Sequence, residues 1–192
     1  MITASWQELA QSVSECRNCR LCETRTNTVL GEGSDKADLM FIGEGPGRDE
    51  DLQGRPFVGA SGQLLDRMIQ AIGMKREDVY IANVVKCRPP MNRNPEPDEA
   101  EACMPYLRQQ FVLIRPKIIV LLGKVACRYV LKTEAPISAL RGSWIERKGI
   151  WFMPTYHPSA LLRDPSKKRE AWEDFKAVKE KLKELYGTQE SV

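Results

Sequence analysis

Apolar residues along the chain gather into four short runs, Leu39–Gly43, Val79–Val85, Ile118–Gly123 and Trp151–His157. Ile118-Ile119-Val120-Leu121-Leu122 is unbroken rather than alternating, as expected of a strand covered on both faces. Between the runs, helical spacing predicts helices over Ser61–Ile72, Pro97–Ile114 and Lys124–Leu131, and a last amphipathic helix over Lys167–Tyr186. Pro97 followed by Asp98-Glu99 is a sound helix start, because proline lacks the amide hydrogen that the first turn cannot use and acids suit its dipole. Strands alternating with helices predict an α/β sandwich with a mainly parallel sheet and a site at the strands' C-terminal ends. No internal repeat or linker divides the chain, so one domain over 1–192 is expected, with 188–192 as a frayed tail. The stretch from Arg88 to Pro97, with four prolines, predicts a loop of unusual length, and such loops are often functional.

Composition narrows the setting. With 192 residues, 42% hydrophobic and 29% charged, the chain can bury a sizeable core without staples. A formal charge of +3 neither demands nor excludes a polyanionic partner. Met1–Glu15 has no apolar run of the signal-peptide kind, and no stretch approaches the roughly 18–20 apolar residues of a membrane span. A soluble, intracellular, cytoplasmic protein in a reducing compartment is expected, with no membrane partner. There, clustered cysteines hold metal more often than they form disulfides.

Four of the six cysteines make such a cluster plausible: Cys16-x2-Cys19, then Cys87 and Cys103 far downstream. Two thiolates on one tight turn suit a tetrahedral ion or an iron–sulfur cluster. Cys16-x2-Cys19-x2-Cys22 also has the opening spacing of a ferredoxin motif, and spacing alone leaves the choice open.

Each strand tip carries a second kind of signal. Gly43-Glu44-Gly45-Pro46-Gly47 is neither a dinucleotide fingerprint nor a Walker loop, and its bland reading is a tight turn. Glycines there let the backbone approach a ligand and aim N–H groups at negative charge. Phe57, in Gly54-Arg-Pro-Phe-Val-Gly59, is either a ligand platform or a core ring. Asn83 is unusual within a strand; its amide either reads a base edge or serves a neighbouring loop. His157 is the only histidine and sits at a strand end beside Pro158, so any imidazole chemistry falls there. Leu161 and Leu162, in a loop beside Arg163, read as a wedge for a nucleic-acid stack or as the hydrophobic start of the last helix.

Taken in order from Cys16 to the final helix, these segments resemble the uracil-DNA glycosylase superfamily, and closely its family 4, the iron–sulfur-containing, thermophile-type enzymes. The resemblance rests on Cys16-x2-Cys19, Gly43-Glu-Gly-Pro-Gly47, Gly54-Arg-Pro-Phe-Val-Gly59, Asn83, Lys86-Cys-Arg-Pro-Pro90, Cys103 and His157-Pro-Ser159. It implies a three-layer α/β sandwich around a four-stranded parallel sheet. It also implies a [4Fe-4S] cluster on Cys16, Cys19, Cys87 and Cys103 that ties down the N-terminal segment. Cys22 and Cys127 are then free thiols, the latter buried in a helix.

The activity implied is DNA base excision repair: uracil is flipped from single- or double-stranded DNA and its N-glycosidic bond is hydrolysed, leaving an abasic site. On this resemblance Phe57 stacks on uracil, Asn83 reads its O4 and N3–H, Gly43 lets the backbone close in, and Glu50 walls off thymine's methyl. His157 and backbone N–H groups near Gly45 stabilise the uracil anion, while Glu44 orients the water or acts as its base. Ser61, Lys86, Arg88, Ser159 and Arg163 hold flanking phosphates, and Leu161 or Leu162 fills the vacated stack. A monomer associated with the nucleoid is implied, with a replication clamp as a further partner. Two competing readings, a non-catalytic metal-containing nucleic-acid-binding module and an electron-transfer protein, explain the cysteines. Neither gives Glu44, Phe57, Asn83 and His157 a joint purpose.

Overall fold

The computed structural model describes residues 5–187, so the expected tail at 188–192 lies outside the described residues. The strands are β1 (Glu32–Gly33), β2 (Leu39–Gly43), β3 (Tyr80–Asn83), β4 (Ile118–Leu122), β5 (Ile145–Arg147) and β6 (Ile150–Thr155). They form one sheet in the order β1-β3-β2-β4-β6-β5. The helices are α1 (Trp6–Ser14), α2 (Arg48–Gln53), α3 (Ala60–Ala71), α4 (Pro97–Ile114), α5 (Lys124–Leu131), α6 (Ile137–Leu140), α7 (Pro158–Arg163) and α8 (Lys168–Gly187).

Six strands replace the expected four. The pairs β3–β2, β2–β4 and β4–β6 are parallel, whereas β1 and β5 add to the two edges antiparallel. Those edge strands are two and three residues long with half-exposed side chains, too short for any hydrophobic period to mark them.

Every residue of β2, β3 and β4 is buried, which explains the continuous apolar runs. Alternation still sorts their side chains to two faces. Met40, Ile42, Ala82, Ile119 and Leu121 pack with Leu107 of α4 and Ala126 of α5. Leu39, Phe41, Ile81, Val120 and Leu122 pack with Leu65 of α3 and Phe175 and Val178 of α8. Phe41 and Phe175 stack with ring centroids 5.7 Å apart. Each such buried side chain contributes roughly 1.5–3 kcal/mol. The result is a mixed α/β fold whose sheet is flanked by helices.

Two departures from the predicted elements bear on function. Residues 6–14 form α1, capped by Ser5, whose side chain accepts from the Glu8 amide, and Leu9 and Val13 are the buried residues, four positions apart. Residues 158–163, expected as a loop, form α7: β6 stops at Thr155, His157 takes the cap position and Pro158 opens the helix.

Candidate functional site

The loops at the C-terminal tips of β2, β3, β4 and β6 enclose a cleft of about 770 Å³. Glu44, Phe57, Asn83 and His157, drawn from separate segments, all line it. A side chain at Gly43 would strike both the Asn83 carboxamide oxygen and the Phe57 ring. Glycine is therefore required where β2 ends, because those two groups close over its Cα. Phe57 and His157 face one another with ring centroids 5.6 Å apart.

Asn83 is buried, yet its Oδ1 has no hydrogen-bond partner; only one other buried side-chain atom among the described residues, Tyr129 Oη, shares that condition. An unsatisfied buried acceptor costs about 1–3 kcal/mol, so in a native fold it calls for an explanation. Here the residue lines a cleft, and no protein donor satisfies its oxygen.

Phe57 is both core and site: it is buried with Leu65 and Ile81 and also lines the cleft. Its backbone is left-handed, φ 51°, an uncommon state for an aromatic residue. The strain is over-determined from three sides. Glu50 Oε1 accepts from the amides of Val58 at 2.8 Å and Gly59 at 2.9 Å, while Oε2 accepts from Gly47 at 3.1 Å. The Arg76 guanidinium donates to the carbonyls of Pro56 and Phe57 and is itself paired with Asp66 at 2.8 Å. Gly62 of α3 lies so close to the Phe57 carbonyl that a methyl there would collide with it. Strain held in this way is a mark of functional sites.

His157 is held in one tautomer. The Ser159 amide donates to its Nδ1 at 3.1 Å and the Ser159 hydroxyl lies 2.8 Å from the same nitrogen. With Nδ1 accepting, the proton of a neutral ring resides on Nε2. Burial first, and the nearby Arg163 second, pull its pKa down to about 4, so the ring is neutral at ordinary pH. Burial pushes Glu44 up to about 6, opposed by Arg163. The cleft thus holds a neutral N–H donor, a carboxylate that ionises near pH 6, a free amide oxygen and an aromatic face. Such a set binds and polarises a planar, hydrogen-bonding ring.

Of the expected backbone-contacting residues, Ser61, Ser159 and Arg163 line the cleft. Gly45 also lines it and packs on Val85. Leu162 is 41% exposed on α7. Two expectations are overturned. Leu161 is 1% exposed and belongs to a core cluster with Leu64 and Tyr156, because the helical turn points neighbouring leucines to opposite sides. Lys86 is also 1% exposed: its Nζ donates to the Asn83 carbonyl at 2.9 Å and to Gln110 Oε1 at 2.7 Å, so it cannot touch a phosphate. Arg88 is half-buried and donates to Asn92 Oδ1 at 2.7 Å. The structure adds Asn92, Arg93 and Lys124 to the cleft wall. The first two sit in the long loop that the sequence marked; Lys124 and the clamp residue Arg76 carried no local signal.

A second cavity lies among α1, α4 and the loops after α1 and β3. Cys16, Cys19, Cys22, Cys87 and Cys103 all line it, and all six cysteines are free thiols. Burial raises the pKa of Cys19 and Cys87 and pushes Cys103 up to about 12. Thiolates so placed need a cationic partner or N–H donors. Two donors are present: the Lys86 amide to Cys103 Sγ at 3.2 Å, and Arg25 Nη1 to Cys87 Sγ at 3.1 Å. The cysteines ring the cavity rather than crowd one point: among the described residues no three His, Cys, Asp or Glu gather tightly enough to hold a metal ion. Cys127, by contrast, is buried in α5 and packs in the core.

The family model described as the uracil DNA glycosylase superfamily matches residues 30–176. The chain is 47% identical over 185 residues to a type-4 uracil-DNA glycosylase of Sulfurisphaera tokodaii, spanning 92% of this chain and 84% of that one. It is 45% identical over 184 residues to a type-4 uracil-DNA glycosylase of Archaeoglobus fulgidus, spanning 92% of each. To that of Thermotoga maritima it is 44% identical over 187 residues, spanning 92% of this chain and 96% of the other.

Proposed function

The chain belongs to the uracil-DNA glycosylase superfamily, and on that premise we propose that it is a DNA repair hydrolase of the type-4 kind, which removes uracil from DNA. The observation that carries the reading is Asn83 Oδ1, buried without a partner beside Phe57 and across the cleft from His157. Uracil offers an N3–H to that acceptor and an O4 to the same amide's Nδ2. Cytosine presents the reverse pattern and leaves Asn83 unsatisfied, a mismatch that discriminates strongly in a buried site. Phe57 stacks on the flipped ring. Glu50, held still by three backbone N–H groups, walls the edge where thymine carries its methyl.

Cleavage breaks the N1–C1′ bond and leaves its electron pair on uracil, with cationic character on the sugar. Neutral His157 donates its Nε2 hydrogen to O2 as negative charge builds there, aided by backbone N–H groups near Gly45. Glu44, ionised above about pH 6, opposes the sugar cation and orients the water whose oxygen bonds to C1′, the proton that water loses passing to the carboxylate or to the uracil anion. Ser61 and Arg163 hold flanking phosphates, and Leu162 fills the space that the base leaves.

Cys16, Cys19, Cys87 and Cys103 would hold a [4Fe-4S] cluster, with Cys22 in the same wall. What supports this is a cavity lined by these four thiols, with N–H donors to two of the sulfurs. The cluster would supply structural ties rather than redox chemistry. No helix among the described residues is long and apolar enough to cross a membrane. Single-domain, monomeric action and a replication-clamp contact rest on the resemblance alone.

The test is incubation with a uracil-containing oligonucleotide followed by alkali. Strand scission at the uracil position is expected, and an intact strand overturns the reading.

A further inference from the structure

We propose that Lys86 is a positioning residue for base recognition: its buried ammonium fixes the Asn83 backbone and so aims the carboxamide that reads the base. The inference rests on the uracil-reading role given to Asn83 above. It begins from an oddity of cost. Lys86 is among the largest fully buried side chains, the others being Leu, Ile, Phe and Met. An ammonium taken out of water is expensive unless hydrogen bonds offset the loss, and an apolar side chain would fill the same volume without that penalty.

The acceptors are specific. One is the carbonyl of Asn83 at 2.9 Å and the other is Gln110 Oε1 at 2.7 Å. Gln110 is fixed in turn, since its amide donates to the Leu30 carbonyl at 2.8 Å and to Tyr80 Oη at 3.0 Å. Tyr80 opens the strand that Asn83 closes. The ammonium is therefore braced from the start of β3 and from the buried face of α4, and it holds the point where β3 stops.

That point matters because the Asn83 Oδ1 has no hydrogen bond of its own. Nothing polar anchors that end of the side chain, so its aim depends on its backbone and on packing over Gly43. The same Lys86 also ties the loop beyond: its amide donates to Cys103 Sγ at 3.2 Å, and its carbonyl accepts from Val29 at 2.7 Å. One residue thus links the thiol-lined cavity to the base-reading amide, through backbone on one side and side chain on the other.

The experiment compares the full-length wild type with Lys86→Met, which keeps length and apolar volume but removes the ammonium. Each is matched for visible absorbance per protein. Three quantities are read on a uracil oligonucleotide: single-turnover rate, affinity for abasic-site DNA, and inhibition by free uracil. Misaiming a recognition group by about 1 Å costs on the order of 10²-fold in rate. Lys86→Met is expected to lose rate on that scale and to weaken inhibition by free uracil, with abasic-DNA affinity within about twofold. In an Asn83→Ala background, Lys86→Met should cost nothing further, because the two act as one unit.

A normal rate and normal uracil inhibition in Lys86→Met overturn the proposal, as does a loss that multiplies with that of Asn83→Ala, the mark of a merely structural lysine. If Lys86→Met does not fold, Gln110→Leu, which unbraces the ammonium, is read the same way: a several-fold loss with weaker uracil inhibition supports the proposal, and wild-type values overturn it. An inactive wild type overturns the glycosylase reading and this proposal with it. An active wild type with an equally active Lys86→Met overturns this proposal alone.

Discussion

The two cavities have no lining residue in common and differ in almost every property. The cysteine cavity is small and lined with Leu21, Val13 and Tyr106 beside its thiols, and two of its five sulfurs already receive N–H donors from the protein. The cleft at the strand tips is open and mixed in polarity, and one of its buried acceptors is left waiting. A site whose occupant stays for the life of the protein can satisfy its polar groups and seal itself. A site whose occupant arrives and leaves must keep a mouth and carry an unsatisfied group between visits. Polar satisfaction thus separates the proposed cluster site from the proposed reaction site more sharply than burial does, since both contain titratable groups with burial-shifted pKa values.

The largest expected effect tests the sealed side. Cys103→Ala removes one of the two buried cysteines among the proposed ligands, and losing a structural metal site costs upward of about 4 kcal/mol. For a chain of this size, a fall in melting temperature of about 10 °C or more should follow, with loss of visible absorbance. Wild-type melting with the colour gone would show that the cavity carries no stabilising group.

On the open side, His157→Ala should do the reverse. Removing one donor to developing negative charge costs about 10²–10³ in rate. The ring caps only the short α7, so melting should move by no more than a few degrees. A comparable fall in both melting and rate would erase the distinction between the two regions.

How far that distinction is legible in the sequence depends on range. The runs that became β2 and β4 are legible as unbroken apolar stretches because both their faces are covered, and the helices over Pro97–Ile114 and Lys124–Leu131 are legible from their period because one face of each is buried. The two edge strands do not, being two and three residues long. At the site, Glu44, Asn83 and His157 announce themselves as odd residues at strand ends and Phe57 as an aromatic between glycines in a loop, and they converge in one cleft. What a one-dimensional pattern cannot carry is which way a long side chain folds back. Lys86 reads as a basic loop residue, yet its stem turns inward to Gln110, 24 positions away. Leu161 and Leu162 read as equivalent until α7 sends them to opposite sides. Arg76 belongs to the Phe57 clamp from 19 positions downstream, with nothing local to mark it.

A smaller effect comes from pH. The carboxylate of Glu44 is the form that opposes the sugar cation, and burial raises its pKa to about 6. Rate should therefore fall by about tenfold per unit as pH drops below about 6. His157, held near 4, stays neutral across the same range and adds no second limb there. Glu44→Gln should flatten the profile between pH 5 and about 7. A profile that keeps its acid limb in that variant would assign the titration to another group.

The smallest effect lies at the rim, and it asks whether the open side is shaped for a duplex at all. Leu162 is 41% exposed beside Arg163, whereas Leu161 at 1% is sealed in the core. A large apolar side chain held out on the helix whose Ser159, Ala160 and Arg163 line the cleft gains nothing from water and much from an emptied base stack. In a duplex, flipping leaves such a gap and breaks a pair, at a cost of a few kcal/mol; a single strand demands far less. Leu162→Ala should slow excision from double-stranded DNA several-fold while leaving the single-stranded rate within about twofold, with no change in melting. Because the substitution leaves Asn83, Phe57 and His157 untouched, a loss confined to duplex substrate can come only from the missing plug. Equal losses on both substrates would instead assign Leu162 to general DNA contact, and the cleft mouth would then lack a wedge.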